Sequence, residues 1–169
     1  MTAYLDIETS WSGEVTVVGV YIPGSGTRQI IKPDVSAAAV MELLSGVSRL
    51  VTYNGSRFDL PVLNRRLGTD LPGKLRHDDL MVRCWRHDLK GGLKKVEVLL
   101  DIPRDTEGLT SLDAPRLWDA YRAGRRDALD LLLRYNREDV ENLEVLERKL
   151  DKLPPRASNR RPGNSSAGA

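Results

Sequence analysis

Residues 3–32, AYLDIETSWSGEVTVVGVYIPGSGTRQIIK, read as three strands in succession, and this run decides the fold. Ala3–Thr9 has the character of a strand. Glu14–Ile22 (EVTVVGVYI) is rich in β-branched residues, and Gly26–Lys32 supplies a third strand after the Pro23-Gly24 turn. Such short connections predict an antiparallel meander. Further along, helical segments alternate with short strands. Ser36–Leu44 reads as a helix capped by Asp34 or Ser36 and stopped by Gly46. Leu50–Tyr53 reads as a strand, Leu60–Leu67 as a helix ended by Gly68, and Leu75–Asp78 as another strand. A helix through Met81 and Trp85 breaks at Gly91-Gly92, Leu93–Leu100 is helical again, and Pro115 fits the first turn of a helix running to Ala123. The longest helix, about Asp127–Leu150, carries Leu129, Leu132, Leu133, Asn136, Val140, Leu143, Leu146 and Leu150 on one stripe. This order predicts an α/β protein with a mixed sheet covered by helices.

The chain has 169 residues, 40% of them apolar, which is enough for a real core and excludes wholesale disorder. Twenty-six basic residues face 24 acidic ones, too even a balance for a polycation that binds by charge alone. The single cysteine, Cys84, excludes an internal disulfide and any multi-cysteine metal site, and reads as a small core hydrophobe. No segment approaches the roughly 18 apolar residues of a membrane span, and the first residues lack the pattern of a signal peptide. The expectation is a cytoplasmic domain over residues 1–153. From Pro154 the sequence PPRASNRRPGNSSAGA, with three arginines and no acid, reads as a disordered basic tail (154–169), either a solvated end or a weak electrostatic tether to a phosphate backbone.

Four acids and a tyrosine stand out from this frame. Acids are depleted in strands, yet Asp6 and Glu8 project from the same face of the first one, where two like charges repel and a cation is the simplest remedy. The segment Tyr53-Asn54-Gly55-Ser56-Arg57-Phe58-Asp59 ends a strand in a Gly-containing turn and feeds a helix, which places Asp59 at or near the N-cap. There it serves as a cap or, kept ionised by the helix terminus, as a metal ligand. Tyr135 and Asp139, four residues apart on the long helix, share one face and flank the leucine stripe.

Taken together, D-x-E-T at Asp6–Thr9, N-x₃-F-D at Asn54–Asp59 and Y-x₃-D at Tyr135–Asp139 resemble the three motifs of the DEDD superfamily of 3′→5′ exonucleases. The tyrosine four residues before the last aspartate resembles the DEDDy branch. LKKVEVLLDIPR and YNREDVENLEVL further resemble stand-alone exonucleases of the YprB type, many of which carry His where this chain has Tyr135. The resemblance implies a ribonuclease H-like fold with a five-stranded mixed sheet, three strands antiparallel and then two parallel, flanked by helices. It also implies two divalent ions, Mg²⁺ or Mn²⁺, held by Asp6, Glu8, Asp59 and Asp139. In that arrangement Asp6, Glu8 and Asp59 surround the ion that activates water, Asp6 bridges to the second, Asp139 completes the site, and Tyr135 positions the attacking water or helps deprotonate it.

Thr9, Asn54 and Phe58 resemble positions that hold the terminal nucleotide by backbone, hydrogen bond and stacking. Arg57, Lys94 and Lys95 are further phosphate-contact candidates. The implied substrate is the 3′ end of single-stranded DNA or RNA. The near-neutral body leaves room for a helicase, polymerase or single-strand-binding partner to supply the grip, and DNA repair is the natural setting. Two other readings fit the same motifs: a catalytically silent nucleic-acid-binding module, and a ribonuclease H-like endonuclease.

Overall fold

A computed structural model describes residues 1–154, so residues 155–169, nearly all of the expected basic tail, lie outside the described residues. The strands are β1 (Thr2–Thr9), β2 (Val15–Ile22), β3 (Gly26–Ile31), β4 (Arg49–Thr52) and β5 (Arg76–Asp79). The helices are α1 (Ala37–Leu43), α2 (Asp59–Leu67), α3 (Leu71–Lys74), α4 (Leu80–Arg86), α5 (Leu93–Leu99), α6 (Asp113–Arg122) and α7 (Arg126–Lys152). The strands form one sheet in the order β3-β2-β1-β4-β5. The first three are antiparallel neighbours, while β4 runs parallel to both β1 and β5. This is the expected mixed sheet, with β1 at its centre.

Alternation along β1 sorts the protein into layers. Ala3, Leu5 and Ile7 face a core completed by Val40 and Leu43 of α1, Leu60, Val62 and Leu63 of α2, and Leu71 of α3. Tyr4, Asp6 and Glu8 face the other side, where α4–α7 pack. There Tyr4 and Val51 meet Leu80, Cys84, Val96, Leu143 and Leu146, and farther along Val17 meets Ala114, Trp118 and Leu132. Cys84 is fully buried, as its reading as a core hydrophobe requires.

Helix α7 crosses this second face, and two anchors fix its rotation. Glu147 accepts from Tyr4 Oη at 2.7 Å and pairs with Arg49 and Arg83 at 2.5 and 2.8 Å. Nearer the site, Asn136 lies directly on the strands over Gly19, the residue opposite Asp6 in the β1–β2 register. A Cβ on Gly19 would stand 2.1 Å from Asn136 Oδ1, so only glycine lets the helix come this close. Element limits shift by a residue or two from the sequence reading, and the one-turn α3 is additional. Pro72 and Gly73 conceal α3 in the sequence, and Asp70 caps it by accepting from Gly73 N–H.

Candidate active site

The meander, the β4–α2 turn and α7 deliver acids to one place. Asp6, Glu8 and Asp139 each offer an oxygen, and these three atoms lie within 4.8 Å of one another. Glu8 and Asp139 are buried; Asp139, which would face solvent on an ordinary helix, is only 4% exposed. Asp59 is also buried and lines the same hollow, but its Oδ1 accepts from the backbone N–H of Ile7 at 3.1 Å and it stands outside the group of three. Its side chain therefore does not cap α2, whose N-cap residue, Phe58, makes no side-chain capping bond. The structure thus gathers Asp6, Glu8 and Asp139 around one candidate ion position and sets Asp59 beside them, tying α2 to β1.

Concentrating acids out of water raises their affinity for protons. Burial pushes Glu8 up to about 8, with Asp139 adding to the rise and Lys94 opposing it. Asp59 is pushed up to about 7, again by burial, while the Ile7 N–H works against the shift. Asp6 is raised well above the ordinary carboxylate range by burial and by Glu8, Asp139 and Asp59. Burial and the carboxylates of Asp139, Glu8 and Asp6 drive the Tyr135 hydroxyl far upward, so it keeps its proton at any ordinary pH.

Two cations and an amide complete the electrostatics. Lys94 Nζ reaches both oxygens of Asp139, at 2.9 and 2.6 Å, and lies 4.1 Å from the Tyr135 ring centroid. Arg104 Nη2 also pairs with Asp139 at 2.6 Å, while its Nη1 pairs with the buried Glu97 at 2.8 Å. Asn136 Nδ2 donates to Asp6 Oδ2 at 3.0 Å. Its Oδ1 accepts from Gln29 Nε2, which fixes the amide's orientation from β3.

Glu8 Oε1 is buried and has no hydrogen-bond partner among the described residues. An orphaned carboxylate oxygen costs free energy unless something positive meets it. An all-oxygen donor set around it suits a hard divalent cation such as Mg²⁺ or Mn²⁺, so the residues present fit the implied metal.

Above the acids opens a pocket of about 880 Å³. Thr9, Asn54 and Phe58 all line it, as does Lys95. Phe58 is 44% exposed and stands on the pocket wall, outside the core. Arg57 turns away from the pocket to lie over Trp85, and Lys94 is committed to Asp139. The residues that sequence reasoning missed are Arg104, Asn136 as a polar group, Gln29, and the exposed Trp11 and Leu112 on the pocket wall. One signal was available: an asparagine inside a leucine stripe must find a buried partner.

Five strands in the order β3-β2-β1-β4-β5, with acids on one face of the central strand and a late helix supplying another, define the ribonuclease H-like class. The chain matches the RNase_H superfamily over residues 3–151 and belongs to it. Among solved structures it is similar to the family B DNA polymerase from the hyperthermophilic archaeon Pyrobaculum calidifontis, with a TM-score of 0.68 and 18% identity. That match covers 88% of this chain but only 24% of the polymerase, so the chain spans about a quarter of that protein's length. It is also similar to a structure described as the apo form of a nuclease, with a TM-score of 0.59 and 19% identity, covering 88% of this chain and 70% of the other. At these identities the likeness is one of fold. No curated protein sequence matches the chain. Among the described residues no helix is long and apolar enough to cross a membrane.

Proposed function

We propose that this chain is a metal-dependent 3′→5′ exonuclease of the DEDDy type acting on single-stranded DNA or RNA. The observation that carries the reading is the convergence of Asp6, Glu8 and Asp139 on one point, with an unpartnered Glu8 oxygen, at the floor of a pocket large enough for a nucleotide. Exposed Trp11, Phe58 and Leu112 on the wall favour a single strand, whose unstacked bases need apolar surfaces, over a duplex that keeps its bases covered.

Asp6, Glu8 and Asp139 would hold one divalent ion, and Asp6 with Asp59 would face a second. Such ions, when bound, stabilise the charge on the attacking and leaving oxygens of the phosphodiester. The protein's own groups do the rest. Tyr135, kept protonated, orients the attacking water by hydrogen bonding and is no base. Lys94 brings a positive charge to the place where the phosphate arrives. Asn136, held by Gln29, fixes Asp6. Thr9, Asn54 and Phe58 hold the terminal nucleotide. A helicase, polymerase or single-strand-binding protein would supply further grip.

The test is 5′-labelled single-stranded DNA and RNA incubated with the protein and Mg²⁺ or Mn²⁺. A one-nucleotide ladder shortening from the 3′ end, absent in Asp6→Ala and Asp139→Asn, is expected. Full activity in either variant refutes the assignment. Unimpeded cutting of a strand with a blocked 3′ hydroxyl identifies an endonuclease instead.

A further inference from the structure

The wall that α4 gives the pocket continues outward from the carboxylates. Met81, in the first turn of α4, lines the pocket. Trp85, four residues on, lies on the same side of the helix about 6 Å farther along its axis. It is 38% exposed, and the Arg57 guanidinium carbon lies 5.4 Å from its ring centroid. Arg57 adjoins Phe58 of the pocket in the chain, so Phe58, Arg57 and Trp85 form one continuous edge leading away from the site.

Next to this edge a second hollow of about 400 Å³ is lined by Arg76, Val82, Arg83 and Arg86, together with Asp78 and Asp79. Both aspartates are already engaged. Asp78 pairs with Arg49 at 2.5 Å, and Asp79 accepts from the N–H groups of Asn54, Ser56 and Met81. Arg83 is spent on Glu147 and Asp151. Arg57, Arg76 and Arg86 are exposed and form no ion pair among the described residues.

A tryptophan face offers stacking to any base, and a planar guanidinium offers paired N–H donors to a phosphate. Three arginines that form no ion pair among the described residues, one over an exposed indole and two lining the hollow, therefore match an anionic strand with accessible bases, which neither a peptide nor a duplex supplies as well. We propose that Arg57 and Trp85, with Arg86 and Arg76 beyond them, form a platform for the bases and phosphates of the strand immediately upstream of the nucleotide in the pocket. The proposal rests on the exonuclease reading and adds to it a binding track outside the catalytic acids.

The experiment compares kcat/KM on a dinucleotide and on an octanucleotide of the same 3′ sequence, using the full chain and the variants Trp85→Ala and Arg86→Glu. Wild type is expected to prefer the longer strand. Trp85→Ala reduces that preference about tenfold, the worth of one stacked base. Arg86→Glu, a surface change with no packing to lose, reduces it severalfold and lowers the salt dependence of octanucleotide cleavage by the equivalent of about one phosphate contact. An unchanged length preference in both folded variants, with cleavage intact, overturns the platform and leaves the nuclease standing. Failure of wild type to cleave either substrate overturns the nuclease reading and the platform with it.

Discussion

Replacing Glu8 with glutamine removes one buried negative charge and almost no volume. Without metal, native Glu8 holds its proton up to about 8, against 4.5 for the ordinary side chain. Asp6 and Asp59 are raised in the same direction. The folded chain thus binds these protons more tightly than the unfolded one, so the Glu8 contribution to stability is fully present below about 4.5 and is lost as pH rises to about 8.

At about 1.4 kcal/mol for each pH unit, the Glu8 displacement alone corresponds to an upper bound on the order of 5 kcal/mol, lost in alkaline solution. Asp6 and Asp139 share the same repulsion, so a gain of about 2–3 kcal/mol is assigned to removing this one carboxylate. For a domain of this size that raises Tm by roughly 5–10 °C. The glutamine amide also offers N–H donors to carboxylates that have too few. Thermal melts of wild type and Glu8→Gln, in chelator and in Mn²⁺, at acidic and alkaline pH, measure the effect. Glu8→Gln should be the more stable protein in chelator at high pH, should match wild type at low pH, and should lose the stabilisation by Mn²⁺ that wild type shows. A metal-free Glu8→Gln no more stable than wild type at high pH, with an undiminished response to Mn²⁺, refutes the reasoning.

Tyr135→Phe removes the orienting hydroxyl and leaves the ring between Lys94 and Arg104; kcat should fall about 10- to 100-fold with Mn²⁺ affinity by calorimetry unchanged. Arg104→Met takes from the buried Glu97 its cationic partner among the described residues, and from Asp139 one of two; it should cost about 3–5 kcal/mol in urea denaturation, with Arg104→Lys recovering part of the loss. Gly19→Val drives a side chain into Asn136 and should cost about 1–3 kcal/mol in the same measurement, lowering activity as α7 is pushed from the sheet.

The antiparallel half of the sheet was legible because β1, β2 and β3 are joined by short turns and carry β-branched residues, whereas the two parallel strands were expected only from the family resemblance. Asp6 and Glu8 were legible as acids placed where strands avoid them. Asp139 was not legible from its own neighbourhood: in REDVENLE it looks like one more solvated acid, and only the tyrosine one turn earlier marks it. What escaped was set by tertiary packing. Arg104 sits in a loop, and nothing local says that its guanidinium spans Asp139 and Glu97. Lys94 read only as a candidate phosphate contact, yet the start of α5 brings it onto Asp139. Asp59 read as a cap or a ligand, and the fold spends one of its oxygens on the Ile7 N–H, a partner 52 positions away in the chain.

The central claim is that Asp6, Glu8 and Asp139 share a divalent cation. Anomalous scattering from Mn²⁺-soaked crystals tests it most directly, with Asp139→Asn crystals as the control. Wild type should show a peak bounded by one oxygen from each of the three acids, weakened or lost in the variant. A well-ordered site with no peak among those three side chains, at Mn²⁺ concentrations that support catalysis, would contradict it.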